Sequence, residues 1–157
     1  MPVERTKQYN MSQFKLVSEI ILRSNANDWQ QAKGEWKLQS ISFARPPHVC
    51  LCGHYPIIEL CLIQNKQNGN RATVGNCCVK KFMGLRTNKF FDAVKRINAD
   101  NNRSVNLETL EIAYKEKWIS YNDYRFYRNI LKARKLSSKQ IEWKIAINNK
   151  IIFRSGI

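Results

Sequence analysis

The chain of 157 residues is 43% hydrophobic and 11% aromatic, which is enough for one globular domain with a core of its own. Its 27 Lys and Arg residues outnumber 12 Asp and Glu residues, and the formal net charge of +15 predicts a surface that attracts polyanions. The first residues contain no hydrophobic signal segment, and no uncharged apolar run approaches the ~20 residues of a membrane span. We therefore expect a soluble, cytoplasmic protein that has no membrane partner.

The amino-terminal region predicts a single helix. Residues 1–9 are polar and show no pattern, whereas apolar residues from Phe14 to Ile21 recur at helical spacing. Ser12 precedes this stripe and can cap the helix, which we expect to end within residues 24–27.

Strand patterns follow this helix. Residues 35–44 alternate apolar and polar side chains as a half-buried strand does, and Pro46-Pro47 should stop that strand. The apolar residues in 57–65, the turn signal Asn68-Gly69 and the return over residues 71–74 predict a small hairpin.

The five cysteines are confined to the region from Cys50 to Cys78. In a reducing cytosol such clustering indicates metal ligation rather than disulfide bonds. Zinc prefers four soft ligands in a tetrahedron, at ~2.3 Å per sulfur. Cys50 and Cys52 predict a tight loop in which Gly53 takes a positive φ, and Cys61 lies on the predicted hairpin.

The Cys77-Cys78 pair opens a predicted short helix that follows Gly75 and ends at Gly84. The helix dipole would stabilise a thiolate in its first turn. Adjacent helical side chains diverge by about 100°, so we expect one of these two cysteines to bind the ion. His54 is a competing ligand, and four independently buried cysteines without a metal are the alternative to a site.

These residues follow the pattern C-x-C-G…C…V-G-x-x-C-V-x-x-F from Cys50 to Phe82. In this the segment resembles small zinc-finger proteins of bacteriophages and other mobile elements, with a treble-clef-like arrangement of knuckle and helix. The resemblance implies one structural Zn²⁺ ion and, for a phage-encoded chain, the cytoplasm of the host cell. It places the ligands at Cys50, Cys52, Cys61 and Cys78, and it puts Cys77 at a variable position.

Helix-start signals recur in the second half of the chain. Asn88 precedes an apolar stripe, Asn106 can cap the next helix, and two capping boxes begin at Ser120 and Ser137. These patterns predict an α+β fold, in which a small zinc-finger module of β-hairpin and short helix joins a mainly helical C-terminal half.

We predict a single compact domain over residues 1–157. Its sub-regions are a helix plus strand in 10–49, a zinc-finger module in 50–87 and a basic helical region in 88–157.

A cationic stripe is predicted on a helix over residues 121–135, because four of its Lys and Arg residues share one face. Such a stripe suits a phosphate backbone, since each neutralised phosphate releases condensed counterions. We expect the neighbouring aromatic residues Tyr121, Tyr124, Phe126 and Tyr127 in the core rather than stacked on bases. The predicted nucleic-acid contacts are Arg125, Arg128, Lys132, Lys135, Lys80 and Lys81.

Catalytic motifs are missing from the sequence. His48 and His54 are its only histidines, and it contains no P-loop, nucleophile elbow or dinucleotide fingerprint. We therefore expect a non-enzymatic, zinc-containing protein of phage or mobile-element type whose basic helices bind DNA or RNA. The alternative is a protein-interaction module, an inhibitor or accessory subunit, whose basic surface binds an acidic protein or a host nucleoprotein complex.

Overall fold

The structure, a computed structural model, describes residues 2–157, and it describes side chains from Met11 onward. Within these residues seven α-helices accompany one three-stranded antiparallel sheet, so the predicted α+β class is confirmed. The elements are α1 (Pro2–Leu22), α2 (Trp29–Gly34), β1 (Trp36–His48), β2 (Ile57–Asn65), β3 (Arg71–Gly75), α3 (Asn76–Met83), α4 (Asn88–Ala99), α5 (Leu107–Lys115), α6 (Tyr121–Ile130) and α7 (Ser138–Ser155).

The chain divides into two compact units, one that ends at Arg86 and one that spans Thr87–Ile157. The first unit contains α1 to α3 and the sheet, and the second contains α4 to α7. The single domain over residues 1–157 stays a prediction. Among the described residues, no helix combines the length and the apolar character that crossing a bilayer requires.

The sheet of the first unit has the order β1-β2-β3, with β2 in the centre. Ile41 on β1, Cys61 on β2 and Val74 on β3 lie opposite one another and are all buried, so they belong to one packed face. The predicted hairpin is present, although a five-residue loop, 66–70, connects its strands. Gly69 in this loop has φ +78°, a conformation that favours glycine.

The hairpin loop is tied to the chain before β1 by the buried carboxylate of Glu35. This group accepts hydrogen bonds from the Asn65 side chain at 2.7 Å and from the backbone amides of Asn25 and Ala26 at 2.8 Å. These bonds, that of Asn65 first, hold the pKa of Glu35 below its usual value despite the opposing effect of desolvation. The network fixes where β1 begins.

Two predicted boundaries in the first unit are wrong, and one short helix was not predicted. α1 spans Pro2–Leu22, so Ser12 lies inside the helix, and Phe14 is 73% exposed while Leu16 and Ile20 are buried. β1 continues through Pro46-Pro47, which an edge strand tolerates because one side of its backbone lacks a neighbouring strand. The short helix α2, capped by Asp28, was not predicted.

Three of the four helices of the second unit begin at their predicted caps, whereas α4 has Thr87 as its N-cap and Asn88, the predicted cap, as its first residue. Asn106 caps α5, and complete capping boxes at Ser120 and Ser137 open α6 and α7. Its core includes Phe91 and Tyr127, and the Tyr127 hydroxyl donates to Asn148 Oδ1 at 2.7 Å and accepts from the Val105 amide at 3.0 Å. This buried polar group is therefore satisfied on both sides.

Candidate metal centre

The first part of the centre is a tight loop over residues 50–54. The Cys50 amide donates to the His54 carbonyl oxygen at 2.9 Å, and the Gly53 amide donates to the Cys50 carbonyl oxygen at 2.8 Å. Gly53 has φ +91°, which only glycine adopts readily, and this allows the loop to close. The Leu51 amide donates to the Thr73 carbonyl oxygen at 3.1 Å, which attaches the loop to β3.

The second part is the junction between β3 and α3. Gly75 is the last residue of β3 and the N-cap of α3, and Cys78 is the third residue of that helix. The amino-terminal dipole of a helix favours negative charge in the first turn, where the Cys78 sulfur lies. The predicted short helix with its end at Gly84, which has φ +68°, is confirmed.

The sulfur atoms of Cys50, Cys52 and Cys78 converge, and all three lie within 4.8 Å of one another. Cys50 and Cys52 are buried and Cys78 is half-buried. In a tetrahedral site with zinc–sulfur bonds of ~2.3 Å, the sulfur atoms are roughly 3.8 Å apart. The three cysteines are therefore close enough together to hold a metal ion.

Hydrogen bonding between the sulfurs makes their ionisation unequal. The Cys78 thiol donates to the Cys50 sulfur, and this bond lowers the pKa of Cys50 to about 5. The same interaction, together with burial, raises the pKa of Cys78. Burial, followed by the interaction with Cys50, raises the pKa of Cys52. These shifts favour one thiolate, at Cys50, beside two neutral thiols. A divalent cation bound to all three sulfurs would displace the protons of the two thiols.

The other two cysteines lie outside this cluster. Cys61 is 0% exposed on the packed face of β2, and Cys77 is exposed on α3. The sequence predicts a group of Cys50, Cys52, Cys61 and Cys78, of which the structure brings Cys50, Cys52 and Cys78 together, with Cys61 outside the group of mutually close sulfurs. Cys61 lies opposite Ile41 of β1 and Val74 of β3 in the sheet. The hairpin pattern in the sequence does not show which face of the sheet is packed.

The cluster forms part of the wall of a cleft of about 560 Å³. Leu16 of α1 and Ile57 of β2 contribute apolar surface to this cleft, and His54 and Lys81 line it beside the cysteines. The sequence pattern does not reveal that α1 lines this cleft, because helical periodicity marks the buried side of a helix but not the element that this side covers.

The predicted helix over residues 121–135 is wrong in its length, so the cationic stripe is only partly helical. α6 ends at Ile130, so Arg125 and Arg128 are exposed on the helix, while Lys132 and Lys135 are exposed in the segment that follows it. The Ala133 amide closes a tight turn onto the Ile130 carbonyl oxygen at 3.0 Å. No Gly or Pro marks this end in the sequence, and tertiary context overrides helix propensity here.

Aromatic rings surround the exposed side of α6. Tyr121 is 59% exposed, and its ring centroid is 6.1 Å from that of Tyr114, which stacks on Tyr124 at 4.9 Å. Phe126 stacks on Trp143 at 3.9 Å, whereas Tyr127 is fully buried. The core placement expected for these aromatic residues is thus correct for Tyr127 and wrong for Tyr121.

The last two predicted contacts, Lys80 and Lys81, belong to the first unit. Both are exposed on α3, shortly after Cys78. Lys81 also lines the cleft beside the cluster.

Comparison of the chain with protein-family models, with curated proteins and with solved structures finds no significant match. The structure itself defines the class of protein: an α+β chain with a cysteine cluster that can bind a metal ion.

Proposed function

We propose that this chain is a non-enzymatic, zinc-containing nucleic-acid-binding protein of phage or mobile-element type. In this proposal Cys50, Cys52 and Cys78 hold a structural zinc ion in the first unit. Exposed cations and aromatic rings of the second unit bind the nucleic acid. The phage or mobile-element origin is supported by the resemblance of the cysteine motif.

Zinc is the metal that the donor set favours. Thiolates are soft ligands, and Zn²⁺ takes them in tetrahedral structural sites. The ligands come from the loop 50–54 and from α3, two segments that the Cys50–Gly75 hydrogen bond already joins at 3.3 Å. A zinc ion bound there would link the same two segments more strongly, so its binding energy would be folding energy.

The observation that carries the nucleic-acid proposal is the outer face of α6. Tyr121, Arg125 and Arg128 follow one another at i, i+4 and i+7, which places them on one side of the helix, and all three are exposed. Residues 88–157 contain 15 Lys and Arg residues and 7 Asp and Glu residues, so the surrounding field is positive. Cations beside exposed rings can bind phosphates while the rings stack on bases.

The test is oligonucleotide binding by the zinc-loaded protein across a series of salt concentrations. Arg125→Glu combined with Arg128→Glu should weaken binding and reduce the slope of log affinity against log salt. Each lost phosphate contact changes this slope by about 0.9 on duplex DNA. Helicity and zinc content should not change, because both side chains are exposed.

A matched control reverses two cations elsewhere. Lys37 and Arg71 are both exposed on the sheet and pair with the same residue, Gln64, from opposite sides. Lys37→Glu combined with Arg71→Glu removes the same formal charge but should leave the salt slope close to that of the wild type. Equal losses in the two variants would mean that only net charge matters. Failure of the wild type to bind DNA or RNA in single- or double-stranded form at low salt would overturn the proposal.

A further inference from the structure

We propose that the imidazole of His54 is the fourth ligand of the metal ion, so that the centre is of the Cys3His type. This inference rests on the proposed metal site and names the ligand that completes it. The three sulfurs supply three ligands, and a tetrahedral structural zinc site requires a fourth protein ligand.

The backbone already holds His54 beside the cluster. Its carbonyl oxygen accepts the hydrogen bond from the Cys50 amide at 2.9 Å, so the two ends of the loop 50–54 are adjacent. Gly53, with φ +91°, turns the chain back between Cys52 and His54. His54 also lines the cleft whose wall contains Cys50, Cys52 and Cys78. The His54 side chain and the three cysteines thus line one cleft.

Ligation requires a rotation of the His54 side chain. The group of mutually close ligand atoms contains the three sulfurs and not the imidazole. Because His54 is exposed, a change between staggered χ1 rotamers does not disrupt a packed core. The ring therefore swings onto the ion when the ion binds.

The two remaining cysteines are less suitable. Cys61 is 0% exposed on the packed face of the central strand, where its position is fixed by pairing with Ile41 and Val74. Cys77 is next to Cys78 on α3, and neighbouring helical side chains diverge by about 100°. A neutral imidazole also gives the Zn²⁺ site one negative charge less than a fourth thiolate would.

The experiment is X-ray absorption spectroscopy of the zinc-loaded full-length chain. The expected first coordination shell is three sulfur atoms and one nitrogen atom. His54→Ala should lose the nitrogen and weaken zinc binding by about tenfold or more, because one coordinate bond is lost. His48→Ala is the matched control: His48 is the only other histidine and is exposed at the end of β1, so its removal should change neither result. His54→Cys should restore four-coordination with four sulfurs.

Other results would contradict the assignment of His54 or the metal site itself. Four sulfurs around zinc in the wild type, with one lost in Cys61→Ala or Cys77→Ser, would overturn the assignment of His54 and leave the metal site in place. A fourth light-atom ligand in the wild type that lacks the outer-shell scattering of an imidazole ring would overturn it as well. These spectra of the wild type decide the question even where a variant fails to fold. Absence of zinc binding by the wild type would instead reject the proposed metal site itself.

Discussion

The Gly75 amide donates a hydrogen bond to the Cys50 sulfur at 3.3 Å, and this bond joins the cysteine loop to the start of α3. It favours the thiolate form of Cys50, in addition to the bond from Cys78 that is the main cause of its low pKa. The backbone of the β3–α3 junction thus helps to prepare the ligand before a metal binds. Metal binding and folding of this region should therefore be coupled.

The first prediction concerns the individual cysteines. Cys50→Ser and Cys78→Ser should each abolish stoichiometric zinc binding and lower the thermal unfolding temperature, because each removes a ligand from the cluster. Cys77→Ser is the control, since Cys77 is exposed on the same helix and should bind zinc as the wild type does. Metal content by elemental analysis and melting by circular dichroism measure both effects. Zinc loss in Cys77→Ser with retention in Cys78→Ser would reverse the ligand assignment.

The second prediction concerns removal of the metal. A chelator should decrease hydrogen-exchange protection in residues 50–83, because every proposed ligand lies in that segment. Protection of α4 to α7 should stay close to its starting value, since their core is formed within the second unit, by residues such as Phe91 and Ile147. Mass spectrometry of exchanged peptides would show this division. Equal loss of protection in both units would contradict it.

The sequence predicted the local features of this fold well. The capping boxes at Ser120 and Ser137 depend on residues three positions apart, and a pattern of that length can be recognised without tertiary information. The helix that carries Cys78 was predicted for the same reason, because Gly75 and Gly84 mark its two ends. Local hydrogen bonding decides such boundaries.

The remaining features depend on contacts between distant segments. Cys61 pairs with Ile41 and Val74 and lies outside the group of three sulfurs, and sequence spacing does not show which face of β2 is packed. The end of α6 at Ile130 is set by the turn that leads to α7, although the residues after it are good helix formers. Sequence spacing could indicate Cys50, Cys52 and one cysteine of the Cys77-Cys78 pair, and the resemblance favoured Cys78, but neither could exclude Cys61.

The third prediction concerns Asp123 in the second unit. Its carboxylate accepts hydrogen bonds from Lys150 Nζ and Trp143 Nε1, both at 2.9 Å, and from the Ser120 amide of the capping box at 3.3 Å. Burial raises the pKa of Asp123, but these bonds outweigh burial and hold the pKa below its ordinary value of 3.8. Asp123→Asn should therefore destabilise the protein by about 1–3 kcal/mol at pH 7.

The stability difference between the wild type and Asp123→Asn should depend on pH in a definite direction. A carboxyl group with a lowered pKa contributes stability that is fully present above its unfolded pKa and is lost as the pH falls through the folded value. The difference between wild type and Asp123→Asn should thus shrink as the pH falls below 3.8. Urea unfolding at several pH values measures it. Asp92→Asn, at an exposed position on α4, serves as the control and should have little effect at any of these pH values.

The fourth prediction separates base stacking from phosphate contact on α6. Tyr121→Ala should weaken binding of single-stranded oligonucleotides by about 1–3 kcal/mol, the range found for one base stacked on one aromatic ring. The salt slope should stay the same, because no cation is removed. Binding of duplex DNA should change less, since its bases are already stacked within the helix.

Phe153→Ala is a matched control, because Phe153 is an exposed aromatic residue of α7 in the same unit. If both substitutions weaken binding equally, the rings act only through general surface properties. If Tyr121→Ala has no effect while Arg125→Glu does, the α6 surface binds phosphates alone.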